Sequence, residues 1–189
     1  MPVDPTLSHF VRTYDTALPA ARCAELIAHF NRETSAQTAN GRGHRAGLDD
    51  SAWTELNLTR NGPAAWLDAL RQDVVNTVDR YNRDTGLSLP VPHSPKLADF
   101  ILKRYRPTGK ERFQLHFDSI YEVSNRYLVM LWYLNAVPAG GETVFPDLEL
   151  AVEPQQGRLL VFPPYWLYQH AGEPPVGADK FILSTYLLF

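Results

Sequence analysis

Eight short β-rich runs crowd the C-terminal half of this 189-residue chain, each closed off by turn-forming residues. They are Leu97 to Arg106, Phe113 to Phe117, Tyr127 to Asn135, Glu142 to Phe145, Leu148 to Val152, Arg158 to Phe162, Tyr168 to Ala171 and Lys180 to Leu188. The breaks include Pro107-Thr-Gly109, Pro138-Ala-Gly-Gly141, Pro154-Gln-Gln-Gly157 and Glu173-Pro-Pro-Val-Gly177. Proline cannot donate to a ladder, and glycine accepts the positive φ of tight turns. Short strands at this spacing specify an antiparallel sandwich or barrel, and a jelly roll fits the count. The 15 prolines, with 9 Tyr, 9 Phe and 4 Trp, then become turns around an aromatic-lined interior.

The half before about Pro95 has a different style. Pro19 to Phe30 places Cys23, Leu26, Ile27 and Phe30 at helical spacing, with Asp15 or Thr16 before it and Pro19 in its first turn. A second helix is expected from Asn61-Gly-Pro to about Tyr81, with Trp66, Leu67, Leu70, Val74, Val75 and Val78 as its apolar stripe; Asp84-Thr-Gly86 ends it. Ser35 to Ser51 is polar, glycine-bearing and without periodicity, so it reads as a flexible loop. Trp53 to Thr59 alternates and reads as a strand. The expectation is one domain over 1–189: helical support and substrate-side elements in 1–95, and a mostly β core in 96–189.

Composition narrows the function classes. A net charge of −3 disfavours a general polyanion binder, because neutralising phosphates takes a basic face. One cysteine, Cys23, excludes an intramolecular disulfide and a multi-thiolate zinc site. Met1 to His9 has no basic or apolar targeting region, and the longest apolar run, Tyr127 to Leu134, is too short to cross a bilayer. These readings give a cytoplasmic protein with no nucleic-acid or membrane partner as the expectation. The ending Tyr186-Leu-Leu-Phe189 reads as a paired strand or as an exposed dimerising edge, with a monomer as the working expectation.

The sharpest chemical feature is Gln114-Leu-His116-Phe-Asp118. Residues two apart on a strand share a face, so His116 and Asp118 project together. His170 follows on another expected strand. Two histidines and one carboxylate on one side of a metal form the facial triad of non-haem iron(II) oxygenases, whose opposite positions stay open. A His-x-Asp pair also occurs as a barrel histidine bonded to a neighbouring carboxylate, and that reading stays beside the first.

The ordered pieces around the pair carry a resemblance. Tyr105-Arg-Pro-Thr-Gly109, His116-Phe-Asp118, Tyr133-Leu-Asn135, Gly140-Gly-Glu-Thr-Val-Phe-Pro146, Gly157-Arg-Leu-Leu-Val-Phe162, His170 and Lys180 occur in the order found in the 2-oxoglutarate- and iron(II)-dependent oxygenase superfamily, and the protein resembles its prolyl-4-hydroxylase-like branch over roughly residues 97–189. The resemblance implies a double-stranded β-helix, a distorted jelly roll. It implies His116, Asp118 and His170 as iron ligands and Lys180 as the partner of the distal carboxylate of 2-oxoglutarate. Tyr105 and Tyr133 match tyrosines that bond the co-substrate, and Thr143 is a further candidate for the same pocket. Lys180 also has an edge-strand gatekeeper reading, and the two tyrosines a plain core one.

The implied activity is a dioxygenase, a hydroxylase that uses Fe(II) and 2-oxoglutarate, with ascorbate as an accompanying reductant and succinate and carbon dioxide as co-products. The substrate side falls to the 35–51 loop, a candidate lid, to Trp53–Thr59 and to Ser119–Arg126. Arg42, Arg45, Arg60, Lys103 and Arg126 are either anchors for an acidic group or solvated surface. A residue in a protein or peptide, or a free amino acid or small metabolite, are the competing substrates; a nucleobase is disfavoured by the charge. The reading from a different class is a non-catalytic, metal-stabilised jelly-roll module for binding or assembly.

Overall fold

In a computed structural model, which describes residues 6–93 and 96–189, the expected β architecture is present with N-terminal elements built into it. The untargeted first five residues and the change of style at Pro95 were expectations that lie outside the described residues. The N-terminal half supplies β1 (Arg12–Tyr14), α1 (Ala20–Arg32), β2 (Gln37–Gly41), β3 (Ala52–Asn57), a one-turn α2 (Leu58–Asn61) and the long α3 (Ala64–Thr85). The C-terminal half supplies β4 (Lys96–Leu97), β5 (Ile101–Tyr105), β6 (Phe113–His116), β7 (Arg126–Tyr133), β8 (Ala139–Gly140), β9 (Thr143–Phe145) and β10 (Leu150–Val152). It continues with β11 (Leu159–Phe162), β12 (His170–Gly172), β13 (Pro175–Val176) and β14 (Lys180–Leu188).

A major sheet runs β1-β11-β7-β14-β5-β3-β2, with β4 pairing the far end of β14. A minor sheet runs β10-β9-β12-β6, and the strand pairs of both are antiparallel. This is the double-stranded β-helix. The major sheet has two buried faces, and strand alternation sorts its side chains between them. Leu128, Met130 and Trp132 of β7, with Phe181, Leu183 and Leu187 of β14, join a core with Leu26 and Phe30 of α1 and Leu70, Val74 and Val78 of α3. The intervening Val129, Tyr133 and Ile182 join the inner core with Trp53, Tyr105, Phe145 and Phe162.

Several expectations need correction. The segment 35–51 is not all loop: Gln37 to Gly41 pairs in full register with Leu56 to Ala52. The strand was hidden because it is an edge without apolar alternation, and its stability comes from backbone pairing. Residues 97–106 are two strands: Ala98 N still bonds Tyr186 O of β14, but the Phe100 N–H turns to the Thr59 hydroxyl before pairing resumes at Ile101. The second helix starts at Ala64 and runs to Thr85, where Gly86 closes it at φ 63°. Residues 58–61 form a separate turn, capped by the Asn57 side chain, which accepts from Arg60 N. Val75 is 41% exposed and does not belong to the stripe. The C-terminal run is no edge, since β14 is flanked by β7 on one side and by β5 and β4 on the other.

Leu183 is fully buried on the helix-facing side of β14. Leu183→Ala should cost about 2–5 kcal/mol, read as a lowered urea midpoint with unchanged slope.

Candidate active site

Three side chains converge where the minor sheet faces the barrel interior. His116 ends β6, His170 begins β12, and the two are register partners. Asp118 follows where the backbone leaves β6, its N–H held by Pro164 O at 3.0 Å. His116 Nε2 lies 3.4 Å from Asp118 Oδ1, and His170 Nε2 lies 3.4 Å from Oδ2. One ligand atom from each residue fits in a group spanning at most 4.8 Å.

Each imidazole is oriented by a backbone carbonyl two residues before it. His116 Nδ1 is 2.8 Å from Gln114 O, and His170 Nδ1 is 3.1 Å from Tyr168 O. A carbonyl only accepts, so each Nδ1 carries a proton and donates it. In the neutral rings both Nε2 atoms then present lone pairs toward a carboxylate, with no proton between them. Such an arrangement repels itself until a cation sits at the common focus. Burial, reinforced by His116, pushes His170 down to about 4, which keeps its ring neutral near pH 7. Burial alone would raise Asp118; His170, His116 and Arg126 beside it outweigh that and hold the carboxyl well below its usual range. Two neutral imidazoles and an ionised carboxylate are the donor set that iron(II) takes, and the residues present fit that ion.

Tyr186 completes the surroundings of the carboxylate, and the sequence reading missed it. Its hydroxyl donates to Asp118 Oδ1 at 3.0 Å. The Arg126 guanidinium lies 3.8 Å from the centre of the Tyr186 ring and donates to Asp118 O at 3.3 Å. The available signal was period two along β14, which puts Tyr186 on the face of Lys180.

Beside the triad lies an inner cavity of about 50 Å³, lined by Tyr105, Thr143, Phe162, Gly172, Lys180 and Ile182 among others. Lys180 is 2% exposed. Its ammonium donates to Gly141 O at 2.9 Å and sits 4.8 Å from the centre of the Tyr105 ring. Burial pushes it down to about 8, against the opposing pull of Glu142 and Glu173. Lys180 lies on a strand paired along both sides, so the edge-gatekeeper reading is overturned. Gly141 makes room for it: φ is 77°, and a Cβ there would come within 3.2 Å of Lys180 Cδ. Tyr105 faces the cavity. Tyr133 stands behind the wall and donates to the Thr143 hydroxyl at 2.6 Å, so it reaches the cavity through Thr143.

A wider outer chamber of about 450 Å³ shares His116, Asp118, Lys103 and Tyr186 with the inner one. Its walls include Arg45 to Leu48, Trp53, Glu55 and the 117–126 segment. The 42–51 turn is tied to β6 through Gln114, which accepts from Asp50 N and donates to Gly47 O. Trp53, Phe113 and His116 stack in sequence, with centroid distances of 4.7 and 4.0 Å. Of the five candidate anchors, Arg45, Lys103 and Arg126 line this chamber. Arg42 turns to Asp49 O, and Arg60 faces Asp99 in an exposed pair. The other histidines lie elsewhere: His9 bonds Thr85 O, His93 bonds Asp79, and His29 packs on Trp66.

Residues 100–188 match the model of the 2OG-Fe(II) oxygenase superfamily. Prolyl 4-hydroxylase subunit alpha-1 of Gallus gallus is 26% identical over an alignment of 181 positions that covers 88% of this protein. The protein spans about a third (35%) of that relative's length. Among solved structures, the viral collagen prolyl hydroxylase of Paramecium Bursaria Chlorella virus-1, as its 2OG complex, superposes with a TM-score of 0.65 at 18% identity, covering 94% of both proteins. The Trichoplax adhaerens prolyl hydroxylase, in complex with a peptide fragment of the hypoxia inducible factor oxygen degradation domain, gives a TM-score of 0.72 at 16% identity, covering 96% of this protein and 84% of the other. These structural likenesses establish the shared fold.

Tyr186→Phe removes one hydrogen bond from Asp118 and leaves the ring in place. It should weaken divalent-metal affinity roughly 10- to 100-fold, measured by titrating the protein with Mn(II).

Proposed function

We propose that the protein is a member of the 2OG-Fe(II) oxygenase superfamily, whose model matches residues 100–188, that it uses Fe(II) and 2-oxoglutarate, and that it hydroxylates a C–H bond of an amino-acid unit. The observation that carries this reading is the convergence of His116, Asp118 and His170 beside a cavity that ends on the buried Lys180. The unit belongs either to a peptide or protein or to a free amino acid or small metabolite. The peptide option draws support from the relatives, since the Trichoplax enzyme is a prolyl hydroxylase bound to a peptide fragment.

When bound, iron(II) and 2-oxoglutarate supply the oxidising chemistry, in which dioxygen is divided between a substrate hydroxyl and succinate while carbon dioxide leaves. The protein's share is to bind, orient and exclude water. His116, Asp118 and His170 would hold the metal from one side and leave the other side open. Lys180 supplies a charge-assisted partner for the distal carboxylate of a dicarboxylate lodged in the inner cavity, with the Tyr105 and Thr143 hydroxyls on the same walls. Phe162, Ile182 and Leu131 make the rest of that lining apolar, which strengthens the ion pair by keeping water away. A non-catalytic module would gain nothing from an ammonium buried at this depth, because an unpaired charge there costs stability.

Anaerobic addition of iron(II) and 2-oxoglutarate should produce a weak visible charge-transfer band, and air with ascorbate should then yield succinate. No band and no succinate would refute the enzyme reading. His116→Ala should abolish iron binding, and Lys180→Ala should raise the 2-oxoglutarate requirement. If the Lys180 mutant leaves that requirement unchanged, the anchor is misassigned.

The pH dependence has a definite sign. The ligand's carboxylate binds the protonated ammonium, and free Lys180 loses its proton above about pH 8. The apparent dissociation constant for 2-oxoglutarate should be flat below about pH 8 and rise toward tenfold per unit above it. Calorimetric titrations between pH 6.5 and 9.5 check this.

A further inference from the structure

Glu55 and Lys103 are direct cross-strand partners on β3 and β5, and both face the outer chamber. Opposite charges in that relation ordinarily pair. Here they do not approach within ion-pair distance. Glu55 turns aside, and its Oε2 accepts from Trp53 Nε1 at 2.7 Å. The Lys103 ammonium points between two rings, 5.8 Å from the centres of both Trp53 and Phe113. Among the described residues it has no hydrogen bond or ion pair. A carboxylate and an ammonium thus stand side by side on one wall, each with bonding capacity directed at the chamber.

The other charges of the chamber sharpen the point. Arg126 is committed to the Tyr186 ring and to Asp118 O. Asp118 belongs to the triad. Arg45 adds a second cation at the rim on the 42–51 turn. An internal residue of a peptide carries no charge on its backbone. Seated here, it would strip water from Lys103 and Glu55 and return only hydrogen bonds from neutral amide groups, with no opposite charge for either. A free α-amino acid carries one charge of each sign on groups bonded to the same carbon, which is what this wall can satisfy. Lys103 also lines the inner cavity, as do His116 and Asp118, so a molecule held on it lies beside the triad.

We propose that Lys103 and Glu55 are the substrate anchor of this protein and that the substrate is a free α-amino acid, its carboxylate on Lys103 and its ammonium on Glu55. The inference rests on the hydroxylase reading and selects among the substrates that reading leaves open. The stoichiometry is unchanged: one C–H bond of the amino acid becomes C–OH, and the second oxygen atom of dioxygen goes to succinate as carbon dioxide leaves.

The test uses the full-length protein loaded with iron(II) and 2-oxoglutarate. Each proteinogenic L-α-amino acid is supplied beside its α-carboxamide, its N-acetyl derivative and a peptide in which the same residue is internal and both ends are capped. Gain of one oxygen atom is read by mass spectrometry, and succinate is read against a substrate-free control. At least one free amino acid should be hydroxylated, with kcat/KM at least ~100-fold above its amide and its N-acetyl form. Lys103→Glu should lower that kcat/KM by a similar factor, whereas Lys103→Arg should retain it within about tenfold. Circular dichroism and melting temperature establish that the variants fold.

A capped peptide hydroxylated as well as the free acid would overturn the anchor. So would an amide within about threefold of the acid, or a Lys103→Glu effect confined to the 2-oxoglutarate requirement. Substrate-free succinate with no free amino acid hydroxylated sinks the anchor and leaves the hydroxylase reading standing. No succinate and no charge-transfer band sinks both.

Discussion

Strand β14 has to satisfy two environments at once, and the molecule is arranged around that demand. On one side Phe181, Leu183 and Leu187 enter the core shared with the helices. On the other, Lys180, Ile182, Ser184 and Tyr186 line the cavity. Because the side-chain period is two, a slip of one residue would drive Lys180 into the helix-facing core and turn Phe181 toward the metal ligands. Pairing with β7 and β5 over most of its length fixes the register. The apolar face therefore sets where the ammonium and the Tyr186 hydroxyl stand. Stability and site geometry are consequences of one register.

The triad shows the same economy at smaller scale. Each histidine is turned by a carbonyl two residues before it, so the local backbone that delivers the ring also fixes its proton on Nδ1. Asp118 is less regular, since it lies just past the end of β6 and depends on Pro164 O, Arg126 and Tyr186 for its position. The carboxylate is thus held from outside its own element, and its supports are dispersed along the sequence. An outer layer of this kind sets the aim of a metal ligand without touching the metal.

That dispersal explains what the sequence disclosed. The eight β runs were legible because each is a short β-rich stretch closed off by turn residues, and the triad because His116 and Asp118 are two apart and the surrounding pieces keep a family order. Lys180 was legible through its distance from His170. Strand β2 was not, because Gln37-Thr-Ala-Asn-Gly41 pairs through its backbone and has no apolar face to announce it. Tyr186 was not, because its role depends on a contact with Asp118 across 68 residues. The Glu55–Lys103 wall was only half visible: Lys103 appeared as one cation among five, and register alone brings Glu55 beside it. Local periodicity is written in neighbours, whereas the assembly of a site is written in register, which needs both strands.

The charge of −3 illustrates the difference between a total and a distribution. Lys180, Lys103, Arg45 and Arg126 all contribute to the walls of the two connected chambers, while Glu55 and the metal-directed Asp118 are the acids among the residues lining them. A slightly acidic protein thus encloses a cationic interior. The proposed chemistry demands this polarity, because a dicarboxylate must enter beside an ionised ligand, and low dielectric magnifies both the repulsion from Asp118 and the attraction of the lysines. The two lysines lie on neighbouring strands, offset by two residues in register, Lys180 opposite Tyr105 and Lys103 opposite Ile182. They are too distinct in surroundings to serve one carboxylate. Lys180 already has Gly141 O and a closed lining, so it is suited to a fixed guest common to every turnover. Lys103 has aromatic faces and the open chamber, so it is suited to the guest that changes the specificity of the site.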